Sequence, residues 1–352
     1  MLVPLAEAEG RCGTKAATLA RLLRAGFAVP DGAVIPDPDG DGWADVLGPA
    51  LRALGGERFA VRSSGRGEDG GAASFAGQLH TTLNVTAARA ADAVRRTAAS
   101  GRSDAVAAYA LRTGHRVGAV VPVIVQVMID AWAAGVAFTR HPVTGADQVV
   151  IEAVRGLGEG LAAGTATPER WAFGRTGAAA TGTAVLAAGP ARAVAEAARR
   201  VEDAFGCPQD VEWALAGGRV WLLQARPISA TPAGTTPAAP AAGRVLVTGT
   251  PSSPGTAAGR ARVIGGLDDF GGFAAGEVLV CRVTSPAWTP LLARAAAVVT
   301  ETGGVLAHAA IVAREFAIPA VTAAAGATTR LADGQRVVVD GTSGTVTAGE
   351  AA

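Results

Sequence analysis

Lysine is almost missing from this chain. Of 31 basic side chains one is lysine, Lys15, and the other 30 are arginine. A bias this complete fits a GC-rich coding background in which lysine persists only where arginine cannot replace it. A compact ammonium slots between phosphate oxygens, whereas a guanidinium is a broad planar fork, so the bias points Lys15 toward a phosphate. Cysteine is also scarce. Cys12, Cys207 and Cys281 are odd in number, far apart and without metal-ligand spacing. That excludes a disulfide scaffold and fits reduced structural thiols. Net charge is +1, which removes the electrostatic case for nucleic acid or an anionic membrane as partner. Long apolar runs are lacking too: the longest, residues 117–129, contains Pro122 and Gln126 and ends at Asp130, so it reads as buried strand. The first residues, MLVPLAEAEGR, show no basic stretch leading into an apolar one, and a cytoplasmic protein is expected. No internal repeat is visible.

What is present begins with length. The chain has 352 residues, enough for about two domains with their own cores. Residues 300–321, TETGGVLAHAAIVAREFAIPAV, run from an apolar strand pattern through Gly303-Gly304 into a helical pattern closed by Pro319. His308 falls in its first turn. Backbone N–H groups and the positive dipole end disfavour an imidazolium there and welcome an anion, which suits a neutral nitrogen nucleophile taking up a phosphoryl group. Residues 10–35, GRCGTKAATLARLLRAGFAVPDGAVI, read as a helix capped by Thr14, with Ala17, Leu19, Leu22 and Leu23 inward, ended by Gly26 and followed by a turn into a strand. Residues 59–85, FAVRSSGRGEDGGAASFAGQLHTTLNV, form two short strands around a Gly/Ser loop, with Arg62 at the end of the first as counter-charge to a polyphosphate. Residues 208–229, PQDVEWALAGGRVWLLQARPIS, read as a hairpin turning at Ala216-Gly217-Gly218. Alternation puts Gln224 and Arg226 on one face. A carboxylate with a carboxamide oxygen, Glu212 with Gln224, suits Mg²⁺, and Asp210 is a weaker candidate.

These strings resemble the superfamily of phosphoenolpyruvate synthase, pyruvate phosphate dikinase and rifampin phosphotransferase. The match in TETGG…H-A…IVAR-E…IPAV is long and specific, and VRSS…ED…SFAGQ and EW…LLQARP follow position after position. The resemblance implies an α+β chain: an ATP-grasp-like nucleotide-binding domain over residues 1–230, a Pro/Ala/Thr linker over 231–243, and a β/β/α swivelling phosphohistidine domain over 244–352. The linker, as an extended chain, spans roughly 40 Å. By resemblance His308 carries the phosphoryl group. Lys15, Arg62, Ser74, Gln126, Glu152 and Gly158 contact ATP, Glu212 and Gln224 hold Mg²⁺, and Arg226 neutralises the transferring group. Glu152 is expected at a strand end before the glycine-rich GLGEGLAAG, and His80 and His141 are expected as strand-edge and turn residues.

Three departures stand out. Thr14 replaces a family glycine. Ala307 replaces the Ser, Thr or Cys of many relatives, which removes a side-chain hydrogen bond beside the nucleophile. Ala105 replaces the arginine that binds ATP phosphates in relatives, within residues 91–113 read as helical; Arg102, three positions earlier, would share its helix face and supply the charge. No third, acceptor-binding domain is recognisable. The expected activity is an ATP-dependent, dikinase-type phosphotransfer, ATP to AMP and phosphate, through a phosphohistidine to a small hydroxyl-bearing acceptor. Antibiotic modification or specialised metabolism would supply such an acceptor, bound by this chain or by a separate protein. Two other readings stay open: a non-catalytic ATP-binding subunit, and the ATP/histidine half of a split phosphoenolpyruvate synthase.

Overall fold

A computed structural model describes residues 1–66, 68, 79–114, 118, 120–162, 164–174, 177–181, 185–228, 243–305 and 307–349. Ser74 and nearly all of the linker lie outside the described residues. The chain divides into two compact units, each discontinuous in sequence. The first comprises residues 1–139, 155–157 and 186–228; the second comprises 140–154, 158–185 and 229–352.

In the first unit, β-branched runs form a five-stranded antiparallel sheet in the order Val3–Pro4, Gly32–Ile35, Val123–Val127, Phe59–Ser63, Thr81–Val85. Helices Trp43–Leu54 and Ala90–Ala99 cover one face, burying Trp43, Leu47, Leu51 and Val94 against Phe59, Val61, Val123 and Val125. Fully burying such side chains contributes about 1.5–3 kcal/mol each. A hairpin, Gln209–Ala216 with Arg219–Pro227, pairs through its first strand with Ala133–Phe138. Gly217 and Gly218, at φ 58° and 71°, make the two-residue turn whose mirror-image geometry matches strand twist.

Two local expectations need correction. Thr14 is not the cap of helix Thr14–Arg24: Gly13 holds the N-cap at φ 83°, and Ser64 Oγ accepts from the N–H of Ala16 at 2.9 Å. A Cβ on Gly13 would fall 1.4 Å from the Ser64 carbonyl oxygen, so the close approach requires glycine. Residues 91–113 are not one helix. Helix Ala90–Ala99 ends in a 3₁₀ turn, Ser100–Arg102, and helix Asp104–Thr113 starts anew with Ser103 as N-cap accepting from the N–H of Val106. Ser103 caps the new first turn, and its extended backbone breaks the old one.

In the second unit, strands Val149–Arg155, Glu169–Gly174 and Gly177–Thr181 pair antiparallel. An eight-stranded mixed sheet follows, with Thr256–Val263, Val278–Cys281, Ala297–Thr300 and Ala320–Thr322 as its parallel run. Those strands read VLVC, AVVT and AVT because parallel strands are buried on both faces. Helix His308–Glu315 crosses back between two of them.

Candidate functional site

Two polar centres stand out, one in each unit. In the first, the hairpin register sets Glu212 opposite Gln224 and Asp210 opposite Arg226, so all four side chains share one face. Arg62, 9 % exposed, reaches that face from the end of strand Phe59–Ser63. Its Nη2 donates to Glu212 Oε2 at 2.8 Å and Gln224 Oε1 at 2.9 Å, and its Nη1 donates to the Leu223 carbonyl. Arg226 Nε donates to Asp210 Oδ2 at 2.7 Å. The Glu212 and Gln224 oxygens thus converge on one cationic nitrogen, and the same convergence fits one hard cation that keeps waters and phosphate oxygens as its other ligands. Among the described residues no group of three or more His, Cys, Asp or Glu makes a ready-made protein cage.

Lys15, second residue of its helix, is 6 % exposed and ion-paired to Glu68 Oε1 at 2.7 Å. Glu68 is held in turn by Ser63 Oγ and the N–H of Gly65. Gln126, 2 % exposed, satisfies its amide on the Pro30 carbonyl at 2.8 Å. Arg102 is not brought onto a helix face with position 105. It precedes the Ser103 cap, is more than half exposed and pairs with Asp39. His141 is a turn residue as expected, its Nδ1 accepting from the N–H groups of Val143 and Thr144.

The second centre is His308, first residue of its helix, with Ala307 as N-cap. The imidazole is buried, and burial pushes its pKa down to about 3, so it is neutral at physiological pH. Thr284 Oγ1 lies 2.9 Å from Nδ1 and Thr289 Oγ1 lies 3.4 Å from Nε2, while Thr289 donates to the Pro286 carbonyl. Hydroxyls are therefore present at both nitrogens although Ala307 offers none. Sequence reasoning missed both threonines. They lie 24 and 19 residues before His308, and no local signal connects them to it. Glu152 was expected at a strand end, but it is central in Val149–Arg155, and its Oε1 is taken by Arg170 and the N–H of Val305. Gly158 precedes the short helix Glu159–Ala162, and the N–H of Leu161 donates to its carbonyl.

The family model described as "Pyruvate phosphate dikinase, AMP/ATP-binding domain" matches residues 46–185 and 179–244, and "PEP-utilising enzyme, mobile domain" matches residues 273–344. A probable phosphoenolpyruvate synthase of Methanothermobacter thermautotrophicus is 37% identical over 82% of this chain and 46% of its own length. One of Archaeoglobus fulgidus is 35% identical over 82% of this chain and 43% of its own. The phosphoenolpyruvate synthase of Escherichia coli is 32% identical over 80% of this chain and 42% of its own. The chain thus spans under half the length of these relatives.

Proposed function

We propose, from the premise that the chain belongs to the family that joins a pyruvate phosphate dikinase AMP/ATP-binding domain to a PEP-utilising mobile domain, that it is an ATP-dependent phosphotransferase working through a phosphohistidine. One observation carries this reading: a neutral, buried imidazole at a helix start, with a hydroxyl at each nitrogen to orient it. An imidazole nitrogen of His308 attacks the β-phosphorus of ATP and the bond from that phosphorus to the α-bridging oxygen breaks. AMP leaves, and the γ-phosphoryl group is lost to water as inorganic phosphate. The β-phosphoryl group then passes from His308 to a hydroxyl of the acceptor.

Arg62, Arg226 and Lys15 neutralise charge on the polyphosphate, work that is mostly positioning and electrostatics. Glu212 and Gln224 would hold Mg²⁺, which when bound would supply positive charge against the polyphosphate. Ser74, Gln126 and Gly158 are assigned to ATP contact by family resemblance. The acceptor is assigned as a small hydroxyl compound, as in antibiotic modification or specialised metabolism. A second reading, the ATP/histidine half of a split phosphoenolpyruvate synthase with its acceptor on another protein, is favoured by the names of the relatives.

The test is intact-mass analysis of the purified chain after Mg-ATP, with nucleotide products separated by ion exchange. One acid-labile phosphoryl adduct accompanied by AMP is expected, and His308→Ala should lack the adduct. An adduct that persists in the variant, or ADP as the only nucleotide product, overturns the reading.

A further inference from the structure

Glu152 is fully buried, yet its two carboxylate oxygens are unequally served. Oε1 accepts from Arg170 Nη2 at 2.7 Å and from the N–H of Val305 at 3.1 Å. Oε2 is buried with no hydrogen-bond partner among the described residues. Both oxygens press against Gly304, where an added Cβ would come within 2.6 Å of each. The same loop is held a second time. Thr302 Oγ1 donates to the Gly164 carbonyl at 2.7 Å, and a Cβ on Gly164 would meet the Ala307 methyl at 3.2 Å. Thr302, Gly304, Val305 and Ala307 are thus seated on Glu152 and Gly164, which bracket the glycine-rich segment, and His308 follows directly. The Ala307 methyl already lies 2.7 Å from where a Cβ on Gly303 would be, which gives a packing reason for the small residue ahead of the histidine.

A buried acceptor without a donor is costly, and natural structures keep few of them. This one adds negative charge beside the loop at whose end a phosphoryl group would bring more. Like charges in a dry environment repel strongly; Arg170 on Oε1 offsets part of the carboxylate's charge, and Oε2 has no donor among the described residues to absorb the remaining repulsion. We propose that Glu152 is a charge-sensing seat for the histidine loop: it holds the loop while His308 is neutral and releases it when position 308 carries an anion. Arg170 positions the carboxylate from behind. The seat's trigger rests on the phosphohistidine reading; its geometry does not. Glu152 acts through the loop, as a positioning residue.

The experiment is amide hydrogen exchange at Val305 in the full chain. Glu152→Ala, which removes the acceptor, should raise exchange at Val305 at least tenfold; unchanged exchange overturns the seat. His308→Asp, with His308→Asn as neutral control, should raise it at least tenfold when Glu152 is present and less than twofold in a Glu152→Gln background, which keeps an oxygen acceptor without charge. An equal rise in both backgrounds overturns the charge sensing. Should His308→Asp not fold, the comparison is made on wild type and Glu152→Gln after Mg-ATP, with the adduct verified by intact mass, and the same pattern is required. If no adduct forms while the His308→Asp pattern holds, the seat stands and the proposed function falls.

Discussion

Burial strongly alters the chemistry of His308. Its proton affinity in the folded chain corresponds to a pKa of about 3, against 6.5 when exposed, because burial penalises the imidazolium. Between those values the unfolded chain binds more protons than the folded one. Stability from this residue is therefore complete above about pH 6.5 and is lost as pH falls toward 3, by about 2 kcal/mol between pH 7 and pH 5. Urea melts at the two pH values should show this loss in the wild type and a smaller one in His308→Gln. His141 has its pKa lowered by burial and by Arg170, acts in the same direction and remains in both proteins. Equal losses in the two proteins would mean that His308 is not held neutral by burial. The position of His308 at a helix start was legible in its motif, because Gly303-Gly304 and Pro319 bound the helix locally. Thr284 and Thr289 were not, because their approach to the ring is made by the sheet.

At the scale of elements, the hairpin and the 3₁₀ break decide which arginines meet the site. Strand pairing brings Glu212 and Gln224 together on Arg62, whereas Ser103 restarts the helix and leaves Arg102 outside it, tied to Asp39. Arg62→Ala is expected to lower turnover at least about a hundredfold, the scale of a lost transition-state contact. Arg102→Ala, which breaks a half-exposed ion pair, is expected to lower it less than about tenfold. Steady-state phosphate release measures both. A hundredfold loss in Arg102→Ala would restore it as the substitute for the arginine missing at Ala105. The break was partly legible: Ser103 is an N-cap residue in the right place, and apolar periodicity masked it.

For the whole molecule, shuttling is the question. If the phosphohistidine must travel between two sites, shortening residues 231–242 by half should leave ATP affinity within about twofold and slow transfer to the acceptor. ATP affinity by calorimetry and transfer by rapid quench read the two effects separately. Equal rates in the shortened and full-length chains would mean that both steps occur in one fixed arrangement. Among the described residues no helix is long and apolar enough to cross a membrane.

The sequence alone determined what depends on near neighbours: the strand, turn and helix pattern around His308, the two-glycine hairpin, the apolar parallel strands, and the resemblance carried by contiguous strings. Only the tertiary structure decided what depends on pairing across long separations. Lys15 on Glu68, Arg62 on Glu212 and Gln224, two threonines on His308, and Glu152 under Val305 join residues 19 to 162 positions apart. The physical reason is reach. Dihedral preferences and hydrophobic periodicity act over a few residues, whereas a buried polar side chain takes its partner from whichever element packing brings within hydrogen-bond distance.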